Sequence, residues 1–226
     1  MNRTIQTVMM LALVAAVSAA LGSCNIVGPA AYLIGGQPKV DAQFALSDRP
    51  TVVFVDDPEN ILPARRLRRL IGDRVAQELM VKKLVSITIS SADAMAVAGR
   101  EKYGKLLAIE EIGRAVGAEQ VVFVNMTSFA LSPDNITPRP SGACLVKVID
   151  VTTRERLFPT ADGGFRGSLG YPVQAAMREV SLERYRTVSS RRRLDEQLAN
   201  EIADQITKVF YRHVPRELGR NLNPPR

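Results

Sequence analysis

The chain has 226 residues, a formal net charge of +7, and 46% hydrophobic but only 5% aromatic residues, with no Trp. This is the composition of a folded domain whose core is built from Val, Leu, Ile and Ala. Two cysteines exclude a disulfide scaffold or a Cys-rich metal site, and the single histidine, His213, argues against most zinc sites and against a Ser-His-Asp site.

Met1–Thr7 is short and positive through Arg3, and Val8–Leu21 (VMMLALVAAVSAAL) is an apolar run broken only by Ser18. As a helix it would span about 21 Å, short of the ~30 Å hydrocarbon core, which suits a signal peptide better than a permanent membrane span. Leu21-Gly22-Ser23-Cys24 follows at once. An aliphatic residue, two small residues and a cysteine resemble the lipobox of bacterial lipoproteins: the small residues admit an extended backbone to a peptidase cleft, and the thiol is the group suited to lipid transfer. The resemblance implies cleavage between Ser23 and Cys24, with Cys24 carrying a thioether lipid and an acylated amine. More than one acyl chain gives stable anchoring. Asn25 is not the aspartate associated with inner-membrane retention, so an outer-membrane lipoprotein facing the periplasm is expected. Loss of residues 1–23 removes only Arg3 among the charged residues, leaving 29 basic against 23 acidic side chains. Export removes nucleic acid as a natural partner for this basic chain and favours anionic lipid or an acidic envelope polymer.

The sequence divides into a signal peptide (1–23), a lipidated cysteine and tether (24–50), a single domain (51–213) and a C-terminal tail (214–226). Val40, Phe44 and Leu46 are apolar enough to pin part of the tether to the domain. Thr51–Val55 (TVVFV) reads as a buried strand, and Asp57-Pro58-Glu59-Asn60 as a turn. A helix from Pro63 to about Val81 follows, its apolar side formed by Leu67, Ile71, Val75 and Leu79 and its other side by Arg65, Arg66, Arg68, Arg69 and Arg74. Arg69–Asp73 and Arg74–Glu78 have the spacing of helix ion pairs. Leu84–Ile89 reads as a second strand. Ser90 or Ser91 can cap a helix through Arg100, and a further helix covers about Leu106–Val116 with Gly117 as its left-handed cap. Gln120–Leu131, Ala143–Val151 and Glu155–Phe158 read as strands. Thr160–Pro172 reads as irregular, and 173–188 is open to a helical or a strand reading. Leu194, Leu198, Ile202, Ile206 and Phe210 define a terminal helix. The order β-α-β-α-α-β-β-β-α predicts an α/β (α+β) fold, a mixed sheet covered by amphipathic helices.

Three segments carry a family resemblance: Ile71-Gly72-Asp73-Arg74-Val75-Ala76-Gln77-Glu78-Leu79; Ile112-Gly113-Arg114-Ala115-Val116-Gly117-Ala118-Glu119 with the strand Gln120–Val124; and Val146–Val151 with Thr152-Thr153-Arg154 and a returning strand to Phe158. Together they resemble the superfamily of the TolB amino-terminal domain and the curli-secretion (CsgG-like) lipoproteins. Arg154 stands where that family commonly has glycine, so a wider turn is expected there. The resemblance implies an envelope domain used in protein–protein assembly and carries over no catalytic residue and no cofactor.

Asp56, Asp57 and Glu59 follow the first strand, where α/β sheets often bind ligands, and are the candidates for an acid/base or cation site. A turn with helix-start charges explains the same residues. The arginine face (Arg65, Arg66, Arg68, Arg69) and Arg191–Arg193 are candidate contact surfaces for anionic head groups or a partner, or else solvated helix faces. Cys144, inside an apolar strand, reads as an inert thiol, His213 as a surface residue near a helix end, and Gly163, Gly164, Gly167 and Gly170 as a loop without a phosphate-binding fingerprint. The expectation is therefore a non-enzymatic, lipid-anchored adaptor or assembly factor, joined to the membrane through its lipid and to an envelope protein, with self-association left open. The alternatives are a curli-exporter-type channel subunit, which needs long alternating hairpins, and an envelope-polymer hydrolase using Asp56, Asp57 or Glu59.

Overall fold

The computed structural model describes residues 39–99, 107–134, 137–160, 169–177 and 180–215. The segments expected to be a signal peptide and a lipobox, with Ser23 and Cys24, and Gly163, Gly164 and Gly167 lie outside them. Asp41–Arg212 form one compact unit. Val40 and His213 belong to a second, where they pair as an isolated antiparallel bridge.

In the compact unit, β1 (Thr51–Asp56) lies between β2 (Thr88–Ile89) and β3 (Gln120–Ala130) and runs parallel to both. A strand in that position is covered on both sides, and Thr51 to Val55 are all buried. β4 (Ser141–Asp150) pairs antiparallel with β3, and β5 (Arg156–Phe158) and β6 (Tyr171–Ala176) pair antiparallel with the two halves of β4. The result is the expected mixed sheet, six strands in the order β2-β1-β3-β4-β5 with β6 also on β4.

Alternation along β1 and β3 sends side chains into two cores. Val53, Val55, Val122, Val124 and Met126 face α1 (Arg66–Val81) and α5 (Val188–Lys208). Val52, Phe54 and Val121 face α2 (Ser91–Ala98) and α3 (Ile109–Ala115). The apolar ladder Leu67, Ile71, Val75 and Leu79 of α1 is fully buried, as are Leu194, Leu198, Ile202 and Ile206 of α5 and Phe210 beyond it. Both expected ion pairs on α1 form, Arg69–Asp73 at 3.2 Å and Arg74–Glu78 at 2.8 Å. Ser90 caps α2 by accepting from the Ala92 N–H at 3.2 Å. Gly117 closes α3 at φ +78°.

Four expectations need correction. The second strand shrinks to Thr88–Ile89, because Leu84 is used to close α1 (its N–H donates to Leu79 O, 2.9 Å) and Ser86 is held by Asp48, whose carboxylate accepts from its N–H and hydroxyl at 2.6 and 2.8 Å. The open stretch 173–188 resolves into both readings: β6 starts at Tyr171, and α4 (Leu182–Arg186) follows. Arg154 does not widen its turn. It adopts φ +62°, the glycine-like conformation, while the Asp150 carboxylate accepts from the N–H groups of Thr152 and Thr153 at 2.8 and 2.9 Å. Finally, the terminal helix stops at Lys208, so His213 lies beyond it, in the bridge with Val40.

The folded unit also starts upstream of Thr51. Phe44 and Leu46 pack against the larger core, and the Phe44 ring stacks on Phe158 at 5.4 Å between centroids, with Tyr171 also 5.2 Å from Phe158.

Candidate functional site

The first crossover, through α1, passes over one face of the sheet, and the second, through α2 and α3, passes over the other. Their divergence leaves a crevice at the carboxyl end of β1, where ligands commonly bind in such sheets. A cleft of about 620 Å³ lies there, lined by Phe54 and Phe123 as its floor, by Met95, Ile109 and Ile112 on the helices, and by Asp56, Asp57, Arg65 and Arg68 at its rim. The two floor rings lie 5.9 Å apart. A volume of this size accommodates a small molecule or a few side chains of a partner.

The rim carboxylates have structural work. Asp57 is 7% exposed, and its Oδ1 and Oδ2 accept from the N–H groups of Ile61 at 2.7 Å and Leu62 at 3.0 Å. Those bonds hold the loop between β1 and α1 in place. Asp56 Oδ1 accepts from the Asp57 N–H at 2.9 Å and from Arg68 Nη2 at 3.3 Å. Arg68 also donates through Nε to Val55 O at 3.0 Å. Glu59 is exposed and does not line the cleft. The three acidic candidates are thus near in sequence but separate in role.

The arginine face does not act as one surface. Successive residues of a helix diverge by about 100°, and these four meet different surroundings. Arg65 and Arg68 turn to the cleft, Arg66 Nη2 reaches Glu196 Oε1 on α5 at 3.1 Å, and Arg69 pairs along its own helix. Clustered positive charge at a helix N-terminus is unfavourable, and three of the four are compensated by carboxylates. Arg65 has no carboxylate partner among the described residues. Arg191 lies over the Tyr185 ring at 5.8 Å, Arg192 Nε is 3.6 Å from Glu196, and Arg193 donates to Ser190 Oγ at 3.4 Å.

Cys144 is buried in β4, and burial pushes its thiol up to about 12, so no thiolate forms at neutral pH. Among the described residues no group of three or more His, Cys, Asp or Glu is placed to hold a metal ion. One buried polar group outside the cleft's lining was missed from sequence. Asn125 lies opposite Asp56 in the β1–β3 ladder, and its Oδ1 is buried with no hydrogen-bond partner. The available signal was an amide inside the otherwise apolar run QVVFVNM. The cleft therefore offers apolar surface, with the nearest carboxylates already engaged.

No family model and no curated protein matches the chain. Among solved structures it is similar to the PelC dodecamer from Paraburkholderia phytofirmans, at 13% identity and a TM-score of 0.40, over 78% of this chain and 97% of that one. It is also similar to the lipoprotein GNA1162 from Neisseria meningitidis, at 11% identity and a TM-score of 0.35, over 68% of this chain and 96% of that one. The hypothetical protein CT253 from Chlamydia trachomatis is a third, at 14% identity and a TM-score of 0.34, over 70% and 98% of the two chains. These likenesses lie in the course of the backbone and carry no residue of the cleft with them.

Proposed function

We propose that the chain is a lipid-anchored envelope protein that acts by binding, as an adaptor or assembly factor, and that it sits on the outer membrane facing the periplasm. The observation that carries this reading is Leu21-Gly22-Ser23-Cys24 placed directly behind a fourteen-residue apolar run that is too short to span a bilayer. The resemblance of three segments to TolB- and CsgG-type envelope domains supports the same class. The chemistry of the cleft favours binding over catalysis. A general acid or base needs a carboxyl free to exchange a proton with substrate, whereas both oxygens of Asp57 hold backbone N–H groups and Asp56 is tied to Arg68. An apolar floor behind a polar rim suits insertion of a partner's hydrophobic side chain. The two longest strands, β3 and β4, contribute Val122, Val124, Met126, Cys144, Val146 and Val148 to the core, and those side chains are not available to face lipid in a barrel.

Affinity capture from detergent-solubilised envelope tests the proposal. The chain is expected to recover a defined envelope protein that a Cys24→Ala control loses and that Ala98→Trp, which fills the cleft, weakens. Recovery of nothing above the control would contradict it.

A further inference from the structure

One end of the compact unit combines three features that the core does not explain. The first is exposed apolar surface. Met80 and Val81 close α1 at 44% and 64% exposure, and Ile87, next to β2, is 56% exposed. The end of α1 meets the start of β2 here, with the Met80 sulfur 3.3 Å from the hydroxyl of Thr88, the residue after Ile87. The second is charge. Lys82 and Lys83 are both exposed between these apolar residues. Lys83 occupies φ +56°, the helix-closing position that favours glycine. The third is where the chain enters. Gln43 N–H donates to Val209 O at 2.8 Å, Asp41 pairs with Arg212 at 3.0 Å, and Lys82 Nζ lies 5.2 Å from the centre of the Tyr211 ring. The unit's first residue, Asp41, is thus held by Arg212, next in sequence to the Tyr211 ring that Lys82 covers.

We propose that this end, formed by Met80, Val81, Lys82, Lys83 and Ile87, is a membrane-docking surface for anionic phospholipid. It rests on the lipid-anchor reading for the presence of a nearby bilayer. Lysines at a bilayer surface gain from lipid phosphates, and side chains such as Val81 and Ile87 enter the interfacial layer between head groups and acyl chains. Arg191, Arg192 and Arg193 stand at the other end of α5, whose 21 residues span about 30 Å. A bilayer touching Lys82 and Lys83 leaves them in solvent.

The test is vesicle co-sedimentation of residues 24–226 carrying Cys24→Ser, so that no attached lipid can mask the contribution of the surface. On vesicles with about 30 mol% phosphatidylglycerol in phosphatidylcholine, partitioning at least about tenfold above phosphatidylcholine alone is expected. Lys82→Gln with Lys83→Asn should reduce it by about tenfold or more; asparagine tolerates the left-handed backbone at position 83. Val81→Ser with Ile87→Ser should also reduce it. Arg191→Gln, Arg192→Gln and Arg193→Gln together should change it by less than about twofold. Equal partitioning onto both vesicles, or loss caused by the arginine substitutions and not by the lysine ones, would overturn the proposal. The anchor reading is judged separately by the mass of residue 24, so the two can fail independently.

Discussion

Arg66, the first residue of α1, reaches Glu196 of α5 at 3.1 Å, and eight residues further along both helices Arg74 reaches Asp204 at 3.6 Å. Both pairs are 130 residues apart, so the two helices run parallel in fixed register. The charges mark that register more than they hold it. All four side chains are more than a third exposed, and such pairs contribute under about 1 kcal/mol each. Glu196→Gln is therefore expected to lower stability by less than about 1 kcal/mol, whereas Leu198→Ala, at a fully buried position two residues on, should cost about 2–5 kcal/mol. Urea denaturation of the two variants makes the comparison, and equal losses would show that packing does not dominate this interface.

Asp57 is expected to be a brace. Asp57→Ala leaves the N–H groups of Ile61 and Leu62 without their acceptors and should cost about 2 kcal/mol. Glu59→Ala, at an exposed position, should stay within about 0.5 kcal/mol. Thermal unfolding of both distinguishes the roles that sequence left joined.

Asp150 gives the fold a dependence on acid. Backbone N–H donation from Thr153, with the Arg49 side chain at 2.8 Å next in weight, holds its carboxyl below the ordinary value. A carboxyl depressed in the folded state adds stability that is complete above its unfolded value of about 3.9 and is lost as pH falls from there through the folded value. Asp150→Asn should thus be less stable than the native chain at neutral pH by about 2 kcal/mol, with the gap closing below about pH 4. Denaturation across pH checks the sign. A gap that widens in acid would refute it.

Gly113 has no room for a side chain. A Cβ there would stand 2.7 Å from methyl groups of both Val121 and Val151, at the contact of α3 with the sheet. Gly113→Ala should destabilise by about 1–3 kcal/mol through overpacking. The denaturation midpoint measures it.

Periodicity made the scaffold legible. The ladders of α1 and α5 and the β-branched runs of β1, β3 and β4 are local patterns whose burial follows from spacing alone, and Gly117 and Ser90 announce helix ends by their chemistry. The misread elements depend on partners distant in sequence. Asp48 pulls Ser86 out of the strand pattern from 38 residues away, and β6 has a weak pattern because Pro172 and alternating exposure leave only Val173 and Ala175 as its buried apolar contribution. The same limit governed the site. Asp57 as a turn residue was readable from Asp-Pro, but the placing of Asn125 opposite Asp56 follows from the β1–β3 register, which no local pattern announces.

Membrane attachment through Cys24 is the claim on which the functional reading depends, and the intact mass of the protein extracted from its native envelope tests it most directly. The account predicts a chain that begins at Cys24 and carries thioether-linked diacylglycerol and an acylated amine. A chain with an unmodified thiol at position 24, recovered from the soluble fraction, would contradict it.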